Sequence, residues 1–231
     1  IRKYKKNFVY YLLFRLVRKK LDYDLKVKIY NFYIWASYKK NKQSHSILRK
    51  CEFEDLRELY LLEKISLNKK IILFDCGSNF GFYSLFIASL QKENEIYSFE
   101  ASLDTFLDLK KNINLNNFKS IKPVNVAISD TKDVEINFKE SKNDWESSIQ
   151  TTNFDLLKTS KIKTLTLDSI IKKENINLSK FSTVIKLDIE GHEMNAIKGA
   201  ENLIKKYSPL IIIEFSKFIS QDDYKILGVF L

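Results

Sequence analysis

The sequence predicts an α/β fold: a doubly wound, mostly parallel sheet preceded by a basic, mainly helical extension. Three observations carry this reading. The run Ile71-Ile72-Leu73-Phe74 is wholly apolar, stops at Asp75 and is followed by Gly77 and Gly81, the pattern of a strand buried on both faces before a tight turn. Apolar segments of strand and helix character then alternate as far as Glu214, which argues for parallel strands with crossover helices on both faces. Acids stand near the ends of these segments at Asp75, Glu100, Asp130, Glu190 and Glu214, and in such sheets ligands sit beyond the carboxyl ends of the strands.

The 231 residues suffice for one sizeable α/β domain plus an extension. With 45% hydrophobic and 13% aromatic residues a packed core forms, and global disorder is excluded. The net charge of +10 is uneven, because residues 1–50 hold 15 of the 39 Lys/Arg but only two of the 29 acids, Asp22 and Asp24. The remainder holds 24 Lys/Arg and 27 acids, so the part with the glycine loop is slightly acidic. Residues 1–50 are therefore read as a basic, aromatic extension and residues 51–231 as the domain. The initial Ile1 and the terminal ILGVFL, which reads as the opening of a strand, suggest a fragment cut at both ends. Cys51 and Cys76 define no disulfide framework and have no metal-site spacing. They read as reduced thiols of a cytoplasmic protein.

Taken in order, Phe8 to Phe14 is apolar but far shorter than the roughly 20 residues that span a bilayer. Arg15 interrupts it and no small-residue cleavage site follows, unlike a signal peptide. Two readings stand for this stretch: a helix packed on the domain with solvated Lys and Arg, or a helix lying peripherally on an anionic membrane. Tyr30, Phe32, Tyr33 and Trp35 are expected to cover one face of the domain. Glu52 to Ser66 has the spacing of an amphipathic helix. Ile71 opens the first strand, and Phe82 to Leu90 is the helix after the loop, with Ser78 or Asn79 as its expected cap. Glu95 to Glu100 is a second strand, Leu103 to Asn117 a helix and Ile121 to Ile128 a third strand. Val134 to Phe138 reads as an exposed strand, Asp144 to Ser160 is aperiodic, and Ile162 to Leu167 is extended. Asp168 is the expected cap of a helix over Ser169 to Glu174. Thr183 to Ile189 is a strand, His192 to Tyr207 one amphipathic helix, and Leu210 to Ile213 a final apolar strand.

The loop reads Asp75-x-Gly77-Ser78-Asn79-x-Gly81. It departs from the dinucleotide fingerprint, which has a glycine where Asp75 stands. An acid there disfavours a pyrophosphate and suits a ligand carrying an amine or hydroxyls. The glycines allow close backbone approach. Glu100, 25 positions on, ends the next strand, where an acid accepts hydrogen bonds from both hydroxyls of a ribose. A third group, Lys186 to Glu193, reads KLDIEGHE. On an extended strand Lys186, Asp188 and Glu190 share a face. Asp188, Glu190, His192 and Glu193 crowd one strand end, where acids raise one another's pKa and supply a general base. They equally suit a divalent metal or the cap of the following helix.

Asp75-x-Gly77-Ser78-Asn79-x-Gly81, Phe99-Glu100, Thr166-Leu167-Asp168, Lys186-x-Asp188-x-Glu190-Gly191-x-Glu193, Lys198-Gly199-Ala200 and Pro209 to Glu214 together resemble the FkbM-type S-adenosylmethionine-dependent methyltransferases in order and spacing. The resemblance covers roughly residues 71–215 and leaves out the first fifty; Ala101 departs from the proline common after the acid. It implies a Rossmann-like fold of the class I methyltransferases and O-methylation of hydroxyls on sugars or related small molecules, lipid-linked glycans included. It further implies that Asp75, Gly77, Ser78, Asn79, Gly81 and Tyr83 hold the methionine part of S-adenosylmethionine. Glu100 would take the ribose, Ala127 the adenine with Ala101 on the chain path beside it, and Asp188 the amino group or methyl. The basic extension with interleaved Tyr, Phe and Trp also fits an RNA methyltransferase. Against that stand the slightly acidic domain and the lack of an N-P-P-[YF]-like tetrad.

Overall fold

The computed structural model of the chain describes residues 24–36, 56–141 and 156–214. The helical reading of residues 1–23, the helix start at Glu52, the aperiodic segment up to position 155 and the terminal ILGVFL lie outside them. What is described of the extension is a hairpin and not a helix. β1 (Leu25–Ile29) and β2 (Phe32–Ala36) pair antiparallel, Ile29 opposite Phe32. The reason lies in the period of two: Phe32, Ile34 and Ala36 are buried while Tyr33 and Trp35 are exposed.

The domain follows with α1 (Leu56–Asn68), β3 (Ile71–Cys76), α2 (Phe82–Leu90), β4 (Glu95–Glu100), α3 (Leu103–Asn116), β5 (Ile121–Asn125), β6 (Ala127–Ile128), β7 (Glu135–Ser141) and β8 (Leu156–Leu165). It ends in α4 (Leu167–Lys173), β9 (Ser182–Leu187), α5 (Glu193–Lys198), α6 (Glu201–Tyr207) and β10 (Leu210–Ile213). Five strands form one sheet in the order β10-β9-β3-β4-β5, every neighbouring pair parallel. All six residues of β3 are buried, as the apolar run predicts. Ile71 and Leu73 pack with Leu59, Leu62, Leu85 and Ile87 on one face. Ile72, Phe74 and Cys76 pack with Leu167, Ala196, Ile197 and Leu203 on the other. Each such aliphatic side chain contributes roughly 1.5–3 kcal/mol by burial, so the two-faced core fixes the register of the central strand.

Four expectations are corrected. Ile121 to Ile128 is not one strand: β5 stays in the main sheet, and after Val126 the chain passes into a second sheet of order β6-β8-β7. His192 to Tyr207 is two helices: Gly199 closes the first and Ala200, at φ −117 and ψ 15, opens the second, while Gly199 packs so closely that an added Cβ would lie 2.0 Å from the Ser129 carbonyl oxygen. Thr166 and not Asp168 caps α4, its side chain accepting from the Ser169 N–H. Neither Ser78 nor Asn79 caps α2; Gly81 holds that position at φ 95 without a side-chain bond.

Candidate active site

From β3 the chain runs outward through β4 and β5, then returns to place β9 on the other side of β3. The carboxyl ends of β3 and β9 therefore flank the topological switch point, where open α/β sheets bind ligands. Asp75 and Lys186 are register partners across this junction. Asp75 is 1% exposed and accepts a bond of 2.5 Å at Oδ2 from Ser84 Oγ on α2, which also meets Ser98 Oγ at 2.7 Å. Its Oδ1 is buried without a hydrogen-bond partner. Burial pushes the Asp75 carboxyl above its usual range, against the pull of Lys186. The Lys186 ammonium lies 2.8 Å from Asp188 Oδ2 and 4.8 Å from the Tyr83 ring centroid. Burial alone lowers its pKa, but Asp188, Asp75 and Glu214 outweigh burial and hold it raised. A cation buried among carboxylates is held by such pairing.

The loop after β3 is pinned to β4. The Gly77 and Ser78 N–H groups both donate to the Phe99 carbonyl, at 3.0 and 2.9 Å, and Ser78 Oγ donates to the same oxygen at 3.2 Å. Asn79 takes a left-handed φ of 51 and donates its N–H to Glu100 Oε2 at 2.9 Å. The other carboxylate oxygen of Glu100 accepts from Ser102 N at 2.9 Å. Burial pushes Glu100 up to about 7, although the Ser102 and Asn79 N–H groups pull it down. The crowding at the two glycines comes from the chain itself. A Cβ at Gly77 would lie 1.8 Å from the Asp188 carbonyl oxygen, and one at Gly81 2.4 Å from Leu109 Cδ1.

Beyond Glu100, Asn125 Nδ2 donates to the Glu100 and Ala101 carbonyls at 2.8 and 3.0 Å, binding the end of β4 to the end of β5. Ala127 is buried with Phe138 and Ile162, and Ala101 packs against them. Ala101 and Ala127 thus meet in one small apolar cluster beside the acid.

The turn after β9 corrects the picture of a shared strand face. β9 stops at Leu187, and Glu190 (φ 49) and Gly191 (φ 88) form a tight left-handed turn. Glu193 is 2% exposed, and its Oε1 accepts from the Gly191 N–H at 3.0 Å and the Ile189 N–H at 3.3 Å. Its pKa is raised mainly by burial, the neighbouring Asp188 adding the least. His192 is buried, Nε2 at 3.0 Å from Ser129 Oγ, and burial lowers its pKa. Ser129 Oγ also lies 3.0 Å from Asp130 Oδ1, so the hydroxyl links His192 to that acid. Among the described residues no group of three or more His, Cys, Asp or Glu is placed to hold a metal ion.

A family model described as the methyltransferase FkbM domain matches residues 75–230. The chain belongs to the FkbM methyltransferase family. No curated protein matches the sequence. Among solved structures, an S-adenosylmethionine-dependent methyltransferase from Agrobacterium tumefaciens aligns with TM-score 0.50 at 8% identity, over 90% of this chain and 57% of that one. Precorrin-6y C5,15-methyltransferase from Geobacter metallireducens aligns with TM-score 0.44 at 11% identity, over 79% and 72%. M. jannaschii TYW2, solved in complex with AdoMet, aligns with TM-score 0.34 at 16% identity, over 46% of this chain. The chain spans 44% of that protein's length. The residues fit S-adenosylmethionine, the methyl donor expected from the sequence. The orphaned Asp75 Oδ1 and the Asp188 carboxylate suit an ammonium, and Glu100 suits ribose hydroxyls. A carboxylate-rich site also suits a sulfonium charge.

Sequence reasoning missed Ser84, Ser98, Lys186 as a buried ion-pair partner, Asn112 and Asn125. Ser84 had a visible signal: it is one of two serines in a mostly apolar helix, and the one in the first turn after the loop. Asn112 had none. It donates to the Phe80 carbonyl at 2.9 Å and accepts from the Trp35 N–H at 2.8 Å, contacts that only the packed structure creates.

Proposed function

We propose that this FkbM methyltransferase transfers a methyl group to a hydroxyl of a sugar, glycan or related small molecule. The observation that carries the reading is the gathering of Asp75, Glu100 and Asp188 at the ends of neighbouring parallel strands, on a domain that is slightly acidic. Such a site favours a cationic donor and a neutral polyhydroxyl acceptor and opposes a polyanion. When bound, S-adenosylmethionine supplies the electrophilic methyl of a sulfonium. Asp75 and Asp188 anchor its ammonium end, Lys186 fixing the Asp188 carboxylate. Glu100 orients the ribose. Ala101 and Ala127 border the adenine. Tyr83, stacked beside Lys186, closes the loop side.

A sugar hydroxyl is a weak acid, so its attack benefits from a base. Our assignment for that base is Glu190, half-buried in the turn two residues beyond Asp188 and just before Gly191. Glu193 holds the turn through two N–H groups, and His192 is turned towards Ser129. Asp188 is engaged by Lys186, which makes it a better anchor than base. Much of the remaining rate comes from setting oxygen, methyl and sulfur in line. The test is transfer of a tritiated methyl group into fractionated glycans, lipids and RNA, in parallel with Glu190→Gln. Label in the glycan or lipid-linked glycan fraction is expected, with turnover of Glu190→Gln down about 100- to 10,000-fold and cofactor affinity kept. Label confined to RNA sinks the acceptor reading, and wild-type turnover in Glu190→Gln removes the base assignment.

A further inference from the structure

The hairpin ahead of the domain presents a face that the methyl-transfer site does not use. Lys26 stands opposite Trp35 and Lys28 opposite Tyr33. The two-residue period of paired strands puts all four on one side, and all four are exposed. The Lys26 and Lys28 ammoniums lie 4.4 and 5.9 Å from the Tyr33 ring centroid. None of the four is acidic. The opposite side, with Phe32 and Ile34, is buried in the core.

This hairpin is also fixed in orientation. The Tyr33 N–H donates to Asn116 Oδ1, and Asn116 Nδ2 donates to the Tyr33 carbonyl, both at 2.7 Å. The Trp35 N–H donates to Asn112 Oδ1 at 2.8 Å. Two asparagines of α3 thus complete the outer edge of β2 as a neighbouring strand would, satisfying groups that an edge strand leaves open. The edge of β2 is thereby tied to α3, the helix that follows Glu100, and the exposed face is held in place with it.

We propose that this face docks on an anionic lipid surface. Indole and phenol rings settle at headgroup level, and lysines beside them reach the phosphates. The charge is complementary: residues 1–50 carry 15 Lys/Arg against two acids. A nucleic-acid platform would leave its rings open for bases to stack on. Here the Lys26 ammonium sits over the Tyr33 ring, so charge covers the ring that a base would stack on and Trp35 is left as the anchor. Docking there would bring the methyl-transfer domain to lipid-borne acceptors.

The test is co-sedimentation of the full chain with phosphatidylcholine vesicles, with and without phosphatidylserine. Binding only to the serine-lipid vesicles is expected. Each lysine near such a surface is worth about fivefold, so Lys26→Gln with Lys28→Gln should weaken binding roughly 30-fold. Lys26→Arg with Lys28→Arg should restore it, and Trp35→Gln alone should weaken it. Cofactor affinity should be unchanged throughout, which separates lost docking from lost folding. Vesicle affinity unmoved by the glutamine pair overturns the proposal. So does a chain that ignores vesicles and binds single-stranded RNA through the same lysines. Because the readout is binding, the result is independent of which acceptor is methylated.

Discussion

At Gly77 an added Cβ would meet the Asp188 carbonyl oxygen at 1.8 Å, while at Gly81 it would meet only the tip of Leu109 at 2.4 Å. Both glycines have positive φ, 76 and 95, so any side chain there incurs about 1–2 kcal/mol of backbone strain. Backbone cannot move aside as a leucine tip can. Gly77→Ala should therefore destabilise by about 3 kcal/mol or more, adding an overpacking cost, and Gly81→Ala by about 1–2 kcal/mol. Urea unfolding checks the order, and equal losses would contradict it. Glu100 joins two functions in one side chain. Glu100→Ala removes the expected ribose acceptor and also frees the Asn79 and Ser102 N–H groups. Cofactor affinity should fall about 10- to 100-fold, the loss of one charge-assisted partner. Calorimetric titration measures it; unchanged affinity alongside reduced turnover would move Glu100 from the ribose to the chemistry.

Elements were legible in the sequence where a local period matched burial. The span Glu95 to Glu100 is the strand the pattern predicts, and β3 and β10 follow their apolar runs. Breaks imposed by distant partners were not legible. The split falls at Gly199, which packs on Ser129 about seventy positions earlier, and past Val126 the chain pairs Ala127 with Thr164 in another sheet. Of the site, the acids at strand ends were readable, because polarity at the close of a buried run is a local signal. The Lys186–Asp188 ion pair and the turn at Glu190 are local in sequence but were not readable, because an alternating acid pattern looks the same on a continuing strand; what fixes them is the end of β9 at Leu187, with Lys186 buried beside Asp75 of β3. Asp168 shows the same limit. Instead of capping its own helix it accepts from the Asn202 and Leu203 N–H groups, at 3.0 and 2.9 Å, and so caps α6 from α4. Asp168→Ala should cost about 1–2 kcal/mol, as for a lost N-cap. Thr166→Val should cost about 1 kcal/mol through α4 alone. Additive losses in the double variant are expected from separate caps; strong coupling in urea unfolding would mean that the two helices share one cap.

Across the whole molecule, the buried carboxylates make stability and ligand binding respond oppositely to pH. The Glu100 carboxyl is held near 7 in the fold, against an ordinary 4.5. The folded chain therefore binds more protons than the unfolded chain between these values. A group of that kind stabilises fully below the unfolded pKa, and its contribution is lost as pH rises through the folded one. Burial raises Asp75 and Glu193 in the same direction. His192, lowered by burial, works the other way below its ordinary 6.5. Among the described residues, Glu100 with its pKa near 7 sets the trend, so stability without ligand should fall between pH 5 and 7. Glu100 alone accounts for a change on the order of 3 kcal/mol. The ionised Glu100 is the stronger acceptor for ribose hydroxyls, so binding favours loss of the proton. S-adenosylmethionine should therefore raise the melting temperature more at pH 8 than at pH 6, and Glu100→Ala should flatten most of that difference. Thermal unfolding at the two pH values, with and without ligand, decides it: a ligand-induced shift independent of pH would mean that the ribose does not touch this carboxylate.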